Sequence, residues 1–193
     1  MATSLQNGSA DRTAVIVIDM LNTYDHSDAE PLMRSVEGIL PALSGLIDGA
    51  ARRDVALVYV NDNHGDWSAG RRDLVDRALA GAAPHLVEPI IPQADLPFVV
   101  KARHSIFYQS LVEYMLRQAG IGRIVLSGQV TEQCILYSAL DAYVRHFDVV
   151  VCPATVACIH EDLAEAALKM MERNMRAEVT GSVEETVERL SDE

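Results

Sequence analysis

Three residues of different chemistry stand at equivalent places along this chain. Asp19 closes the apolar run Thr13-Ala-Val-Ile-Val-Ile, and Lys101 closes Leu96-Pro-Phe-Val-Val. Cys134 follows the turn Gly128-Gln-Val-Thr131, which leaves the run Arg123-Ile-Val-Leu-Ser127. An acid, an ammonium and a thiol are the parts of a nucleophilic centre. The thiolate is the attacking species, the carboxylate can take its proton, and the ammonium can keep that carboxylate ionised and oriented. Each residue alone has a plain alternative: a turn residue for the Asp, a solvated charge for the Lys, a small packing residue for the Cys. Cys134 has local support. Thr131 is a natural N-cap for the segment that follows, which places the sulfur near the third residue of a helix. Helix N-termini stabilise anions and lower thiol pKa values from about 8.5. The Gly128 turn also sets backbone N–H groups near the sulfur, where they can form an oxyanion hole. Cys152 and Cys158 lack this setting and read as packing residues.

The elements that must position these groups follow from hydrophobic periodicity. Strands are predicted at 13–19, 55–61, 96–101, 123–127, 148–152 and 177–179. Helices are predicted over 35–53, 71–79, 110–119, 132–146 and 161–175. The first of these helices has Val36, Ile39, Leu40, Leu43, Leu46 and Ile47 at helical spacing, and Gly120 suits the C′ position after the third. Repeated β-then-α units imply a mostly parallel sheet with helices on both faces, a three-layer α/β/α architecture. In such a sheet the chemistry collects at the carboxyl ends of the strands, so Asp19, Lys101 and Cys134 are expected on one rim. Residues 1–12 read as a flexible lead-in and 13–193 as one domain.

Composition narrows the function. The 193-residue chain carries a formal net charge of −12, which disfavours nucleic acid and anionic membrane surfaces as partners. No apolar run approaches the roughly 20 residues of a membrane span, and the first residues lack a signal-peptide layout. A cytoplasmic location is expected. The three cysteines form no CxxC pair, which removes support for zinc-ribbon and dithiol redox readings.

Four segments carry a family pattern: VIVIDMLN with Asp19, VYVNDNHGDW, KARHSIFYQSLVEYML with Lys101, and SGQVTEQC with Cys134. With them the chain resembles the isochorismatase-like cysteine hydrolases, a group that includes nicotinamidases, carbamoylsarcosine amidases and ureidoacrylate or biuret hydrolases. The resemblance implies a six-stranded sheet in the order 3-2-1-4-5-6. It implies Asp19 as proton acceptor, Lys101 as its partner and Cys134 as nucleophile. It also implies a cis peptide between Gln129 and Val130, with the N–H groups of Val130 and Cys134 as the oxyanion hole. The expected reaction is cleavage of a C–N bond in a small amide, ureide or lactam through a thioester, in a homodimer or homotetramer and without a cofactor. Tyr24, Trp67, Phe107 and Tyr137 lie near the motifs and are candidate walls of the substrate pocket.

The sequence departs from the pattern in three places. Metal-binding nicotinamidases carry Asp-x-His followed closely by another His. Here Asp62-Asn63-His64 keeps the first half, and Gly70 stands where the second His belongs, so no metal is expected. Leu21 replaces a Gln common two residues after the catalytic Asp, and Thr155 follows Pro153 where many relatives carry an acid. Two alternatives remain open: a catalytically silent binding or sensor protein on the same fold, and a metal-assisted nicotinamidase.

Overall fold

A computed structural model describes residues 12–190. The lead-in reading of residues 1–12 falls outside the described residues apart from Arg12, which opens the first strand. Six strands form one sheet: β1 (Arg12–Ile18), β2 (Ala56–Asp62), β3 (Phe98–Lys101), β4 (Ile121–Gln129), β5 (Asp148–Ala157) and β6 (Glu178–Val179). Their order is β3-β2-β1-β4-β5-β6, and every adjacent pair is parallel, which is the order implied by the resemblance.

Continuous apolar runs form these strands because both faces of the sheet are covered. The two-residue period of a strand sorts the side chains. Ala14, Ile16 and Ile18 of β1 join Ile124 and Leu126 of β4 in one core, while Val15, Val17 and Val125 join the other. The first core is closed by α3 (Val112–Gln118), α4 (Leu136–Val144) and α5 (Glu161–Met175), through residues such as Leu116, Ala139 and Met171. The second is closed by α1 (Ala29–Arg52), α2 (Arg71–Leu79) and α6 (Val183–Glu188), through Leu43, Leu74 and Val187. Helices α2 and α5 occupy the predicted residues. Helix α1 starts six residues before the predicted position, at Ala29, with Pro31 in its first turn where a missing N–H costs nothing. Strand β5 runs on through Pro153 to Ala157, past a shift of register against β4 between Leu126 and Gly128.

The strand ends that carry chemistry are held close by one glycine. Gly128 pairs with Ile18 across β4 and β1 and has φ +106°. A Cβ at this position would lie 2.2 Å from the Ile18 carbonyl oxygen, an approach only backbone movement could relieve. Gly128→Ala is therefore expected to lower stability by about 2 kcal/mol or more, measured as a shift in the urea midpoint. An unchanged midpoint would mean that the strands separate there without penalty.

Candidate active site

Asp19, Lys101 and Cys134 meet at the carboxyl end of the sheet. Asp19 follows β1 with φ +56°, and its amide donates to the Val60 carbonyl at 2.9 Å. This turn lets its carboxylate face β2 and β3. Oδ1 accepts the Asp62 N–H at 2.7 Å, and Oδ2 lies 2.8 Å from Lys101 Nζ. The Gln129 side-chain amide donates to the Asp19 carbonyl at 2.5 Å, tying the end of β4 to the same residue. Lys101 Nζ also lies 3.5 Å from Asp62 Oδ2 and 3.6 Å from Cys134 Sγ. The ammonium thus stands among two carboxylates and the thiol. All three principal residues are nearly enclosed: Asp19 is 8% exposed, Lys101 2% and Cys134 7%.

The electrostatics follow from this enclosure. Burial works against the Lys101 charge, but Asp19, Cys134 and Asp62 outweigh it and raise the pKa above the ordinary lysine range. The Cys134 thiol is pushed up, first by burial and then by the Asp19 charge, and the opposing pull of Lys101 is smaller. The expectation that a helix start would lower this pKa is therefore corrected. Desolvation and a neighbouring carboxylate dominate over the helix end.

The local backbone is also not the predicted one. Thr131–Ile135 forms a single π-helical turn, and α4 proper begins at Leu136. Thr131 does not cap it. Its hydroxyl donates to the Ala157 carbonyl of β5 at 2.9 Å, and Val130 is the residue that precedes the turn. The Val130 carbonyl accepts the N–H groups of Gln133 at 3.1 Å and Ile135 at 3.2 Å. The Gln129–Val130 peptide is cis. Glu132 braces the turn from below, because its Oε1 accepts the amides of Ile159 and His160, both at 2.9 Å. Thr155 is buried and donates to the Cys152 carbonyl at 3.0 Å, so it shapes the bend in β5.

The four aromatic candidates separate. Phe107 is a core residue, stacked on Phe147 at 5.6 Å with the Arg145 guanidinium over its ring. Tyr24 is buried in the opposite core, and burial lifts its phenol to about 12 against the pull of the neighbouring Gln129 side chain. Both side chains are buried, Tyr24 3% and Phe107 5% exposed. Trp67 is 83% exposed and is a surface residue in this structure. Tyr137 is 43% exposed, with its ring centroid 5.4 Å from that of His104.

His104 is the residue that sequence reasoning missed. Its Nδ1 lies 3.8 Å from Cys134 Sγ, and the residue itself is exposed. Two bonds hold its segment: Ile106 N–H donates to Ser138 Oγ at 3.1 Å, and Phe107 N–H to Ser105 Oγ at 3.2 Å. The available signal was a histidine three residues after Lys101, inside a motif already singled out.

The residues near position 62 do not suit a metal. Asp62 accepts the His64 amide at 2.8 Å and faces Lys101, while His64 Nε2 lies 3.0 Å from the Leu21 carbonyl. Both side chains are committed to the turn. Among the described residues no group of three or more His, Cys, Asp or Glu is arranged to hold an ion. No helix of the described residues is long and apolar enough to cross a membrane.

With this geometry in place, the Isochorismatase domain model matches residues 13–184. The chain belongs to the isochorismatase family. It is 27% identical to the uncharacterised isochorismatase family protein YaaI of Bacillus subtilis over 167 residues, covering 86% of this chain and 92% of that protein. It is 28% identical to the ureidoacrylate amidohydrolase RutB of Stutzerimonas stutzeri over 196 residues, covering 84% of this chain and 77% of that protein. The crystal structure of an isochorismatase-like hydrolase from Alkaliphilus metalliredigens shares the fold, with a TM-score of 0.73, 24% identity and coverage of 93% and 99%.

The arrangement makes a clear statement about the thiol. Asp19→Asn removes the anion that helps push Cys134 up while leaving Lys101 in place. Thiolate absorbance in this variant is expected to develop at lower pH than in the wild type, and Lys101→Met is expected to shift it the other way. Stability should respond with the matching sign. A buried thiol with a raised pKa keeps its proton where the unfolded chain has lost it, so stability falls as pH climbs above about 9. Cys134→Ser should flatten that decline in urea titrations. Equal alkaline slopes in the two proteins would contradict the raised pKa.

Proposed function

We propose that this protein is a cysteine-dependent amidohydrolase acting on a non-peptide C–N bond of a small amide, ureide or lactam. The observation that carries the reading is the Lys101 ammonium, 2.8 Å from Asp19 Oδ2 and 3.6 Å from Cys134 Sγ in a nearly closed site. The relative named ureidoacrylate amidohydrolase supports the bond type.

The resting thiol is neutral, so attack requires that its proton move as the carbonyl approaches. Asp19 accepts it. The negative charge then passes from the carboxylate to the sulfur, and both positions lie beside the same ammonium, so the cluster keeps its net charge. The thiolate adds to the carbonyl carbon, and the N–H groups of Val130 and Cys134 receive the oxyanion. Asp19 returns the proton to the nitrogen, the C–N bond breaks, and the acyl group remains on Cys134 as a thioester that water hydrolyses.

Cys134→Ala is expected to reduce turnover to background in an ammonia-release screen of amides, ureido acids and lactams. Asp19→Asn and Lys101→Ala should each lose roughly 10²–10⁴-fold, and the double variant little more than either, since the residues act as one unit. Hydrolysis by Cys134→Ala at the wild-type rate would end the mechanism. A chelator such as EDTA should leave activity unchanged. Loss of activity on chelation, restored by a divalent ion, would return the reading to a metal-assisted nicotinamidase.

A further inference from the structure

We propose that His104 is a further catalytic residue, the base that activates water for thioester hydrolysis; the inference rests on the cysteine-hydrolase reading above. The two sides of Cys134 Sγ differ in character. Lys101 and Asp19 lie on the enclosed side, 2% and 8% exposed. His104 is exposed and places Nδ1 3.8 Å from the sulfur. Once the leaving nitrogen has departed, the hydrolytic water comes in from the open side, because the enclosed side is filled by the ion-paired residues. An acyl carbon bonded to Sγ lies within one water of the imidazole.

The ring is held for this task. Tyr137 packs against it at a tilt of 54°, the Ile106 amide ties the following segment to Ser138, and the Phe107 amide closes a turn onto Ser105. The Cys134 thiol and the Tyr137 ring face His104, with Lys101 and Asp19 beyond the sulfur. The step balances. Neutral Nδ1 takes a proton from water as the new C–O bond forms. The tetrahedral intermediate collapses, the C–S bond breaks, and the carboxyl product leaves. The imidazolium then returns its proton across the Nδ1–Sγ contact, which restores thiol and neutral imidazole together.

p-Nitrophenyl acetate separates the two halves of the reaction without knowledge of the natural substrate. The wild type should release a burst of p-nitrophenolate as Cys134 is acetylated, then turn over, and Cys134→Ala should show no burst. His104→Gln should keep the burst and lose roughly 10²-fold in the steady state, with acetyl-Cys134 accumulating by intact mass. Added imidazole should speed deacetylation of His104→Ala, and it should leave the wild-type rate unchanged. Far-UV spectra of these exposed-site variants should match the wild type. Deacetylation of His104→Gln at the wild-type rate would overturn the role of His104 and leave the nucleophile intact. Absence of acetylation at Cys134 in the wild type would overturn the hydrolase reading, and this inference with it.

Discussion

A buried ammonium governs this site. The Lys101 side chain is fully enclosed, and an uncompensated charge there would cost several kcal/mol after relaxation. Its compensation is the Asp19 and Asp62 carboxylates at 2.8 and 3.5 Å. That pairing explains the state of the third partner. Two anions already surround one cation, so ionising Cys134 would add a third negative charge in a desolvated space. Burial and the Asp19 charge therefore hold the thiol in its protonated form.

The topology makes such a cluster possible. All six strands point the same way, so every carboxyl end reaches the same rim. Asp19 occupies the centre because β1 lies between β2 and β4. Lys101, two strands away, reaches it past the end of β2, where Asp62 pairs in register with Lys101 and gives its amide to Asp19. From the other side Gly128 allows β4 to close on β1, and Gln129 then binds the Asp19 carbonyl. The positive φ of Asp19 turns the chain out of the strand at the point where its carboxylate must face the ammonium.

Much of this was legible in the sequence, and the losses have identifiable causes. Buried parallel strands announce themselves as apolar runs, so the alternation and the shared rim followed directly, while the strand order came only from the resemblance. The π turn at Thr131–Ile135 was invisible because Ile135 runs on at helical spacing into Leu136, Ala139 and Leu140, and nothing in Thr131-Glu-Gln-Cys marks a wider turn. Thr131 has the side chain of a cap, yet the neighbouring Ala157 carbonyl claims its hydroxyl. Strand β5 overran its predicted end because Pro153 sits at a register shift, where a missing N–H is tolerated. Proximity to a motif did not tell which way Tyr24 and Phe107 face. The helix-end argument for a low thiol pKa failed because one turn of local structure says nothing about how deeply the turn is buried.

The same accounting bears on the departure at Gly70. A metal site needs carboxylate and imidazole donors free to turn towards an ion. Here the Asp62 carboxylate is divided between the Lys101 ammonium and the His64 amide, and His64 Nε2 meets the Leu21 carbonyl. Drawing Asp62 away would remove one of the two anions that sustain a fully buried cation. Gly70 offers no imidazole, and Asp62 is already engaged by Lys101. The lysine that stands 3.6 Å from the sulfur is thus one the fold has already paired with two carboxylates.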